Sequence, residues 1–193
     1  MAARCESVAS SWGATPAEQA LLYPCDGYMA TADGAYFRAL DVQAPAAVLF
    51  RWLCQLKAAP YSYDWIDNFG RRSPRQLTPG LEQLTQGQRV MTIFELVAFE
   101  QDRQLTLVLT DPHAIAIFGE IAGSYTIFPQ AEASCRLVVK LLVRYPRRWP
   151  WSWGRWVLPW GDLIMMRKQL LTLKQLAEHS ARSIEYSPYL EGE

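Results

Sequence analysis

Histidine is almost missing from this chain: its 193 residues include two, His113 and His179. The four cysteines, Cys5, Cys25, Cys54 and Cys135, are scattered and form no CxxC pair. Without clustered imidazoles or thiolates no zinc-ligand set can be assembled, so no metal site is expected. The same spacing gives no disulfide framework. It reads as reduced, structural thiols of a cytoplasmic protein. Net charge is missing too. Nineteen basic residues cancel nineteen acidic ones, which leaves nothing to recruit a polyanion and disfavours nucleic acid as a partner. No run of about eighteen apolar residues occurs, so no transmembrane segment is expected. The nearest candidate, residues 156–171, is interrupted by Asp162, Arg167 and Lys168. The first twelve residues lack the charged, apolar and small-residue succession of a secretory signal. There is no GxGxxG, no glycine-rich run before Lys-Ser or Lys-Thr, and no GxSxG elbow. No cofactor is expected.

What is present suits one domain with a substantial core: 50% of residues are apolar and 20% charged. Residues 1–34 are rich in Ala, Ser and Gly and read as an irregular arm. It holds one short helix over 16–22, with Thr15 as cap and Pro16 at the first helical position. Residues 35–193 form the domain proper. A first strand is expected at 36–42. A helix follows from Pro45 to about Leu56, burying Val48, Leu49, Trp52, Leu53 and Leu56 and ending before Pro60. Residues 61–69 make a second short helical or turn segment, and 71–88 a polar loop. Strands are expected at 91–100, 103–110, 113–120, 124–128 and 134–145. In the last, Leu137, Val139, Leu141, Val143 and Tyr145 alternate with Arg136, Lys140 and Arg144, so one face is buried and the other meets water. A long helix runs from 162 to about 184. Its Leu163, Met166, Leu170, Leu173, Ala177, Ala181 and Ile184 recur every three or four residues and share one face. A lone helix closing a run of strands can bury that stripe across the concave side of a curved sheet. The arrangement encloses a hollow suited to a small molecule.

Short motifs agree with this order. Tyr61-Ser-Tyr-Asp-Trp-Ile-Asp-Asn68, Trp12-Gly-Ala-Thr-Pro-Ala-Glu18, the stretch from Pro79 to Gln86 with Gly87, and Met166-Arg-Lys168 resemble one bacterial branch of the START-like (SRPBCC) superfamily. The resemblance covers roughly residues 35–185 and implies an α+β helix-grip fold, a curved antiparallel sheet wrapped around a long C-terminal helix. It also implies binding of a lipid- or polyketide-like molecule, or a cyclase, dehydratase or hydrolase chemistry in the same cavity. The tryptophan-laden segment before the last helix departs from the branch.

Candidate site residues follow from this picture. Leu163, Met166, Leu170 and Leu173 would supply the helical wall and Leu105, Leu107, Leu109, Leu141 and Val143 the sheet wall, with Met166 a deformable lining. Tyr61, Tyr63, Asp64, Trp65 and Asn68 would orient a mostly apolar guest by a few hydrogen bonds. The competing reading makes Tyr61 and Trp65 core aromatics and Asp64 or Asp67 a helix or turn cap. Three acid–base candidates stand out. Glu95 shares a strand face with Ile93, Val97 and Phe99, and burial there would raise its pKa; the alternative is a solvated edge residue. Asp64 sits among the aromatics just named. His113 follows Asp111-Pro112, either as a base at the mouth or as an exposed turn residue. Residues 146–161 carry five of the eight tryptophans: Trp149, Trp151, Trp153, Trp156 and Trp160. With Arg147, Arg148 and Arg155 they offer a peripheral docking surface for a membrane or protein, with Trp156 also a candidate ligand contact. The alternative is a lid folded over one end of the sheet.

Overall fold

A computed structural model describes residues 8–63, 72–146 and 154–186, with the side chains of 154–158 and 184–186 left out. In chain order the elements are β1 (Ser11–Trp12), α1 (Pro16–Gln19), a 3-10 turn (Pro24–Gly27), β2 (Gly34–Val42) and α2 (Ala46–Cys54). They continue through β3 (Arg89–Val90), β4 (Phe94–Glu100), β5 (Gln104–Leu109), α3 (Pro112–Phe118), β6 (Glu120–Ala131), β7 (Ser134–Arg144) and α4 (Gly154–Tyr186). The strands form one curved, unclosed sheet in the order β1-β2-β7-β6-β5-β4-β3. Every pairing is antiparallel except the edge pair β1–β2, which is parallel.

The long helix covers its expected span and begins earlier, at Gly154 rather than 162, with Pro159 inside it. Leu170, Leu173 and Ala177 are fully buried, and with Met166 and Leu176 they join Leu49, Trp52 and Leu53 of α2 and Leu137 and Val139 of β7 in one core. Trp52 Nε1 donates to Ser180 Oγ at 3.0 Å, fixing α2 against the far end of α4. Pro45 precedes α2 and Gln55 ends it, close to the expected span.

Two expectations change. The sequence places a strand at 113–120, yet 112–118 are helical. Asp111 caps this helix, accepting from the Ala114 amide at 2.8 Å, and Pro112 occupies its first turn. This cap and the first-turn proline are local terms that favour a helix. The strand expected at 124–128 therefore takes over, extending to Glu120–Ala131.

The second change concerns the outer face of β7, which is covered rather than wet. Residues of the arm, Tyr23, Cys25 and Met29, pack with Phe37, Ala39, Ala122, Val138 and Leu142 in a second apolar cluster on the convex side of the sheet. Its polar contacts answer the three bases of β7 one by one. Arg136 pairs with Glu18 and donates from Nη2 to Gly13 O at 2.7 Å. Lys140 Nζ meets Asp26 Oδ1 at 2.6 Å, and Arg144 donates to Thr31 O and Oγ1. Deeper in, the Cys25 amide donates to Ser124 Oγ at 2.8 Å, and Ser124 Oγ lies 3.2 Å from Thr106 Oγ1. Buried basic and hydroxyl groups are tolerated here because the arm supplies their partners.

Candidate functional site

The first half of α4 stands off the sheet where the second half packs solidly. The gap is a pocket of about 540 Å³, within the range of small-molecule sites. Its floor is the concave sheet: Tyr36 of β2, Leu107 of β5, Ile121, Gly123 and Tyr125 of β6, and Leu141 and Val143 of β7. Pro159, Gly161, Asp162, Met165, Met166 and Gln169 of α4 form the roof. Phe118 of α3 and the turns at 60–62 and 91–94 close the sides. Gly123 helps open the space. A Cβ there would meet Leu141 Cδ2 at 2.6 Å, so a larger residue would push Leu141 into the hollow.

Local chain geometry places two wall residues. Met91 (φ 48°) and Thr92 (φ 68°) are consecutive left-handed residues between β3 and β4. A β-branched residue in that region carries strain of roughly 1–3 kcal/mol. The turn is held by the Met91 amide, which donates to Leu56 O at 3.1 Å. Strained backbone of this kind clusters at ligand-contacting sites.

The pocket is apolar with three polar stations. Tyr125, fully buried, donates its hydroxyl to Gln169 Oε1 at 2.7 Å, while Gln169 Nε2 donates to Pro60 O at 2.7 Å. Burial pushes the Tyr125 phenol far above its ordinary pKa, so it stays neutral. Near the sheet edge the hydroxyls of Tyr36 and Tyr145 bond to one another. The third station is an ion pair beneath the roof: Arg38 Nη2 donates to Asp162 Oδ2 at 2.8 Å. The Arg38 side chain has 0% exposure and that of Asp162 31%, so the carboxyl faces the hollow and shields the guanidinium. Burial raises the Asp162 pKa above the usual carboxylate value, and Arg38 opposes that rise. Arg38 also donates to Phe37 O and Ala9 O, both at 2.8 Å.

The structure distributes the sequence candidates unevenly. Leu107, Leu141, Val143 and Met166 line the pocket. Leu105, Leu109, Leu163, Leu170 and Leu173 are buried but lie off its wall. Tyr61 is buried with its ring edge-on to Trp52 at 6.2 Å, next to the lining residue Ser62, and Tyr63 is half-buried. Asp64, Trp65 and Asn68 lie outside the described residues, as do Trp149, Trp151 and Trp153 and the side chain of Trp156. Glu95 is half-buried on the strand face opposite Phe94 and Leu96, the two residues that point toward pocket and core. His113 is exposed on α3. Among the described residues no three His, Cys, Asp or Glu side chains gather as a metal site would require.

Sequence reasoning missed Tyr36, Tyr125, Asp162 and Gln169. Two of them carried a legible mark: Asp162, Met166, Gln169 and Leu173 are spaced four, three and four apart, which puts polar residues in phase with the apolar stripe. A polar residue on the buried stripe of a helix is costly unless something answers it.

A bent sheet wrapped around a long C-terminal helix, with a pocket between them, is an α+β helix-grip fold. Among solved structures the chain is similar to a protein from Thermobifida fusca determined by solution NMR, at 14% identity and a TM-score of 0.51, covering 75% of this chain and 93% of that one. Looser similarities run to a START superfamily protein from Mycobacterium smegmatis (14% identity, 78% of this chain and 98% of that chain, TM-score 0.44). They also run to the di-domain ARO/CYC StfQ from the steffimycin biosynthetic pathway (10% identity, 76% of this chain and 51% of that chain, TM-score 0.49). No protein-family model matches the chain, and no curated protein matches it in sequence. At these identities the likeness is one of fold alone.

Proposed function

We propose that the protein binds a small apolar or amphipathic molecule in the pocket between α4 and the sheet. The observation that carries this reading is the hollow of about 540 Å³ itself, walled by aliphatic, aromatic and methionine side chains with few polar groups. A guest in apolar space that side chains leave unfilled gains dispersion contacts with the wall, and its burial contributes roughly 25 cal/mol per Å² of apolar surface. Extraction of the purified protein with organic solvent, followed by mass spectrometry, should return a co-purifying lipid- or polyketide-like compound. Nile red, a neutral dye, should bind and brighten. In Ile121→Trp the new indole occupies the pocket, so dye binding should fall with the circular dichroism spectrum unchanged. Undiminished dye binding by that variant would remove the pocket from the proposal.

A catalytic reading draws on Asp162, whose raised pKa and place on the wall suit proton transfer during a cyclisation, dehydration or hydrolysis. Turnover of any substrate that survives Asp162→Asn, together with Asp64→Asn, Glu95→Gln and His113→Ala, would dismiss acid–base catalysis by these groups. A peripheral docking role draws on Trp160 and Ile164, one helical turn apart and 52% and 54% exposed beside the lining residues Pro159 and Gly161. Equal pelleting of wild type and Trp160→Ala/Ile164→Ala with anionic liposomes would argue against it. No helix among the described residues is long and apolar enough to cross a membrane. Free, buried Cys25, Cys54 and Cys135 support a reducing, cytoplasmic setting for this activity.

A further inference from the structure

Two of the three polar stations, those of Asp162 and of Tyr125 with Gln169, share a property that bears on what the pocket can hold. Among the described residues its wall contains no Lys, Arg or His, and Asp162 is its one carboxyl. Oδ2 of Asp162 accepts from Arg38, whereas Oδ1 has no hydrogen-bond partner among the described residues. Tyr125, deeper in, has already committed its proton to Gln169 Oε1, so its oxygen can only accept. Gln169 Nε2 is occupied by Pro60 O at 2.7 Å and Met91 Sδ at 3.4 Å. Both Asp162 and Tyr125 therefore present acceptors, and the nearest amide donor is spent.

Charge narrows the class further. Arg38 and Asp162 already neutralise each other. A carboxylate head would meet the Asp162 carboxylate, and an ammonium would leave a net charge in a largely apolar pocket; either costs free energy. A hydroxyl brings no charge and donates to a carboxylate, a charge-assisted bond stronger than its neutral counterpart. We propose that the pocket selects a neutral amphiphile bearing a hydroxyl or phenol donor, which Asp162 receives at its free oxygen. This rests on the cavity-binding reading above and names the chemical class of its guest.

Displacement of Nile red by lauryl alcohol, laurylamine, laurate and the parent hydrocarbon dodecane, each below its micellar threshold at neutral pH, tests it. Lauryl alcohol should displace the dye at concentrations about tenfold lower than the other three, the ratio expected of one hydrogen bond to a charged acceptor. In Asp162→Asn the amide can donate to laurate, so the advantage of the alcohol over laurate should close or invert. Removing one partner of a buried pair endangers folding, so Arg38→Met/Asp162→Asn, which removes both charges, repeats the measurement. Laurate or laurylamine displacing the dye as well as the alcohol overturns the inference while leaving cavity binding intact. So does an alcohol preference that both variants keep. A protein that binds neither dye nor any of the four chains refutes the binding reading and this inference together.

Discussion

At the scale of single residues, backbone conformation and burial set the sharpest expectations. Gly119 ends α3 at φ 87°, and a Cβ there would lie 2.1 Å from Arg144 O, a backbone atom that cannot step aside. Gly119→Ala should therefore destabilise by roughly 2–4 kcal/mol, seen as a lower urea midpoint at unchanged slope. Thr92 is the converse, a β-branched residue held at φ 68° and exposed. Thr92→Gly should stabilise by about 1 kcal/mol, the strain relieved exceeding the entropy glycine adds to the unfolded chain. The thiols give a third measurement. Burial pushes Cys54 up to about 12 and Cys135 to about 11, and raises Cys25 as well. At neutral pH all three should resist a disulfide-exchange reagent until denaturant is added, since the thiolate is the reactive form. Rapid labelling of any of them in native protein would mean its element opens far more readily than the packing allows.

At the scale of elements, the arm is the instructive case. Its α1 begins with a capping box, Thr15 accepting from the Glu18 amide while the Glu18 carboxylate returns to the Thr15 amide. The same carboxylate reaches Arg136 on β7, and this contact, the largest cause, lowers the Glu18 pKa below the ordinary value. A lowered pKa means that the unfolded chain binds the proton more tightly, so the stabilisation is complete above the unfolded value of about 4.3. It is lost as pH falls through the folded value. Glu18→Gln should cost roughly 1–3 kcal/mol at neutral pH, with the gap between variant and wild type narrowing as pH falls below the ordinary carboxylate range in paired urea titrations. A constant gap would place the contribution in packing rather than charge. The helix α3 gives the complementary lesson. Asp111, Pro112 and Gly119 are a start, a first turn and a stop, all visible in sequence, although the segment was expected as a strand.

For the whole molecule, α4 divides its work along its length. The stretch from Leu170 to Ala177 closes the core with α2, whereas the stretch from Pro159 to Gln169 arches over a hollow. A guest bound there engages only the folded state, so stability should rise with its concentration. At a hundredfold excess over Kd the gain is about 2.7 kcal/mol, read as a rise in Tm by calorimetry with lauryl alcohol. Ile121→Trp, its pocket filled, should show little such rise. A ligand-independent Tm in wild type would contradict occupancy of the cavity.

Apart from α3 and the short strands β1 and β3, the order of elements, the inward faces of β5 and β7 and the stripe of α4 were legible in the sequence, because periodicity reports which side of a helix or strand is buried. The capped start of α1 was legible for the same local reason. What covers a face is not a local property. That the convex side of β7 is roofed by the arm, with Glu18, Asp26 and Thr31 answering Arg136, Lys140 and Arg144, depends on residues more than a hundred positions apart in sequence. The site followed the same division. Leu107, Leu141, Val143 and Met166 could be assigned inward from pattern, yet Leu170 and Leu173 share their stripe and lie off the pocket wall. Periodicity distinguishes buried from exposed; it cannot distinguish packed from hollow. Where α4 leaves the sheet, and which of Asp162, Tyr125 and Gln169 then face the empty space, was decided only when curvature brought strands and helix together at one end and held them apart at the other.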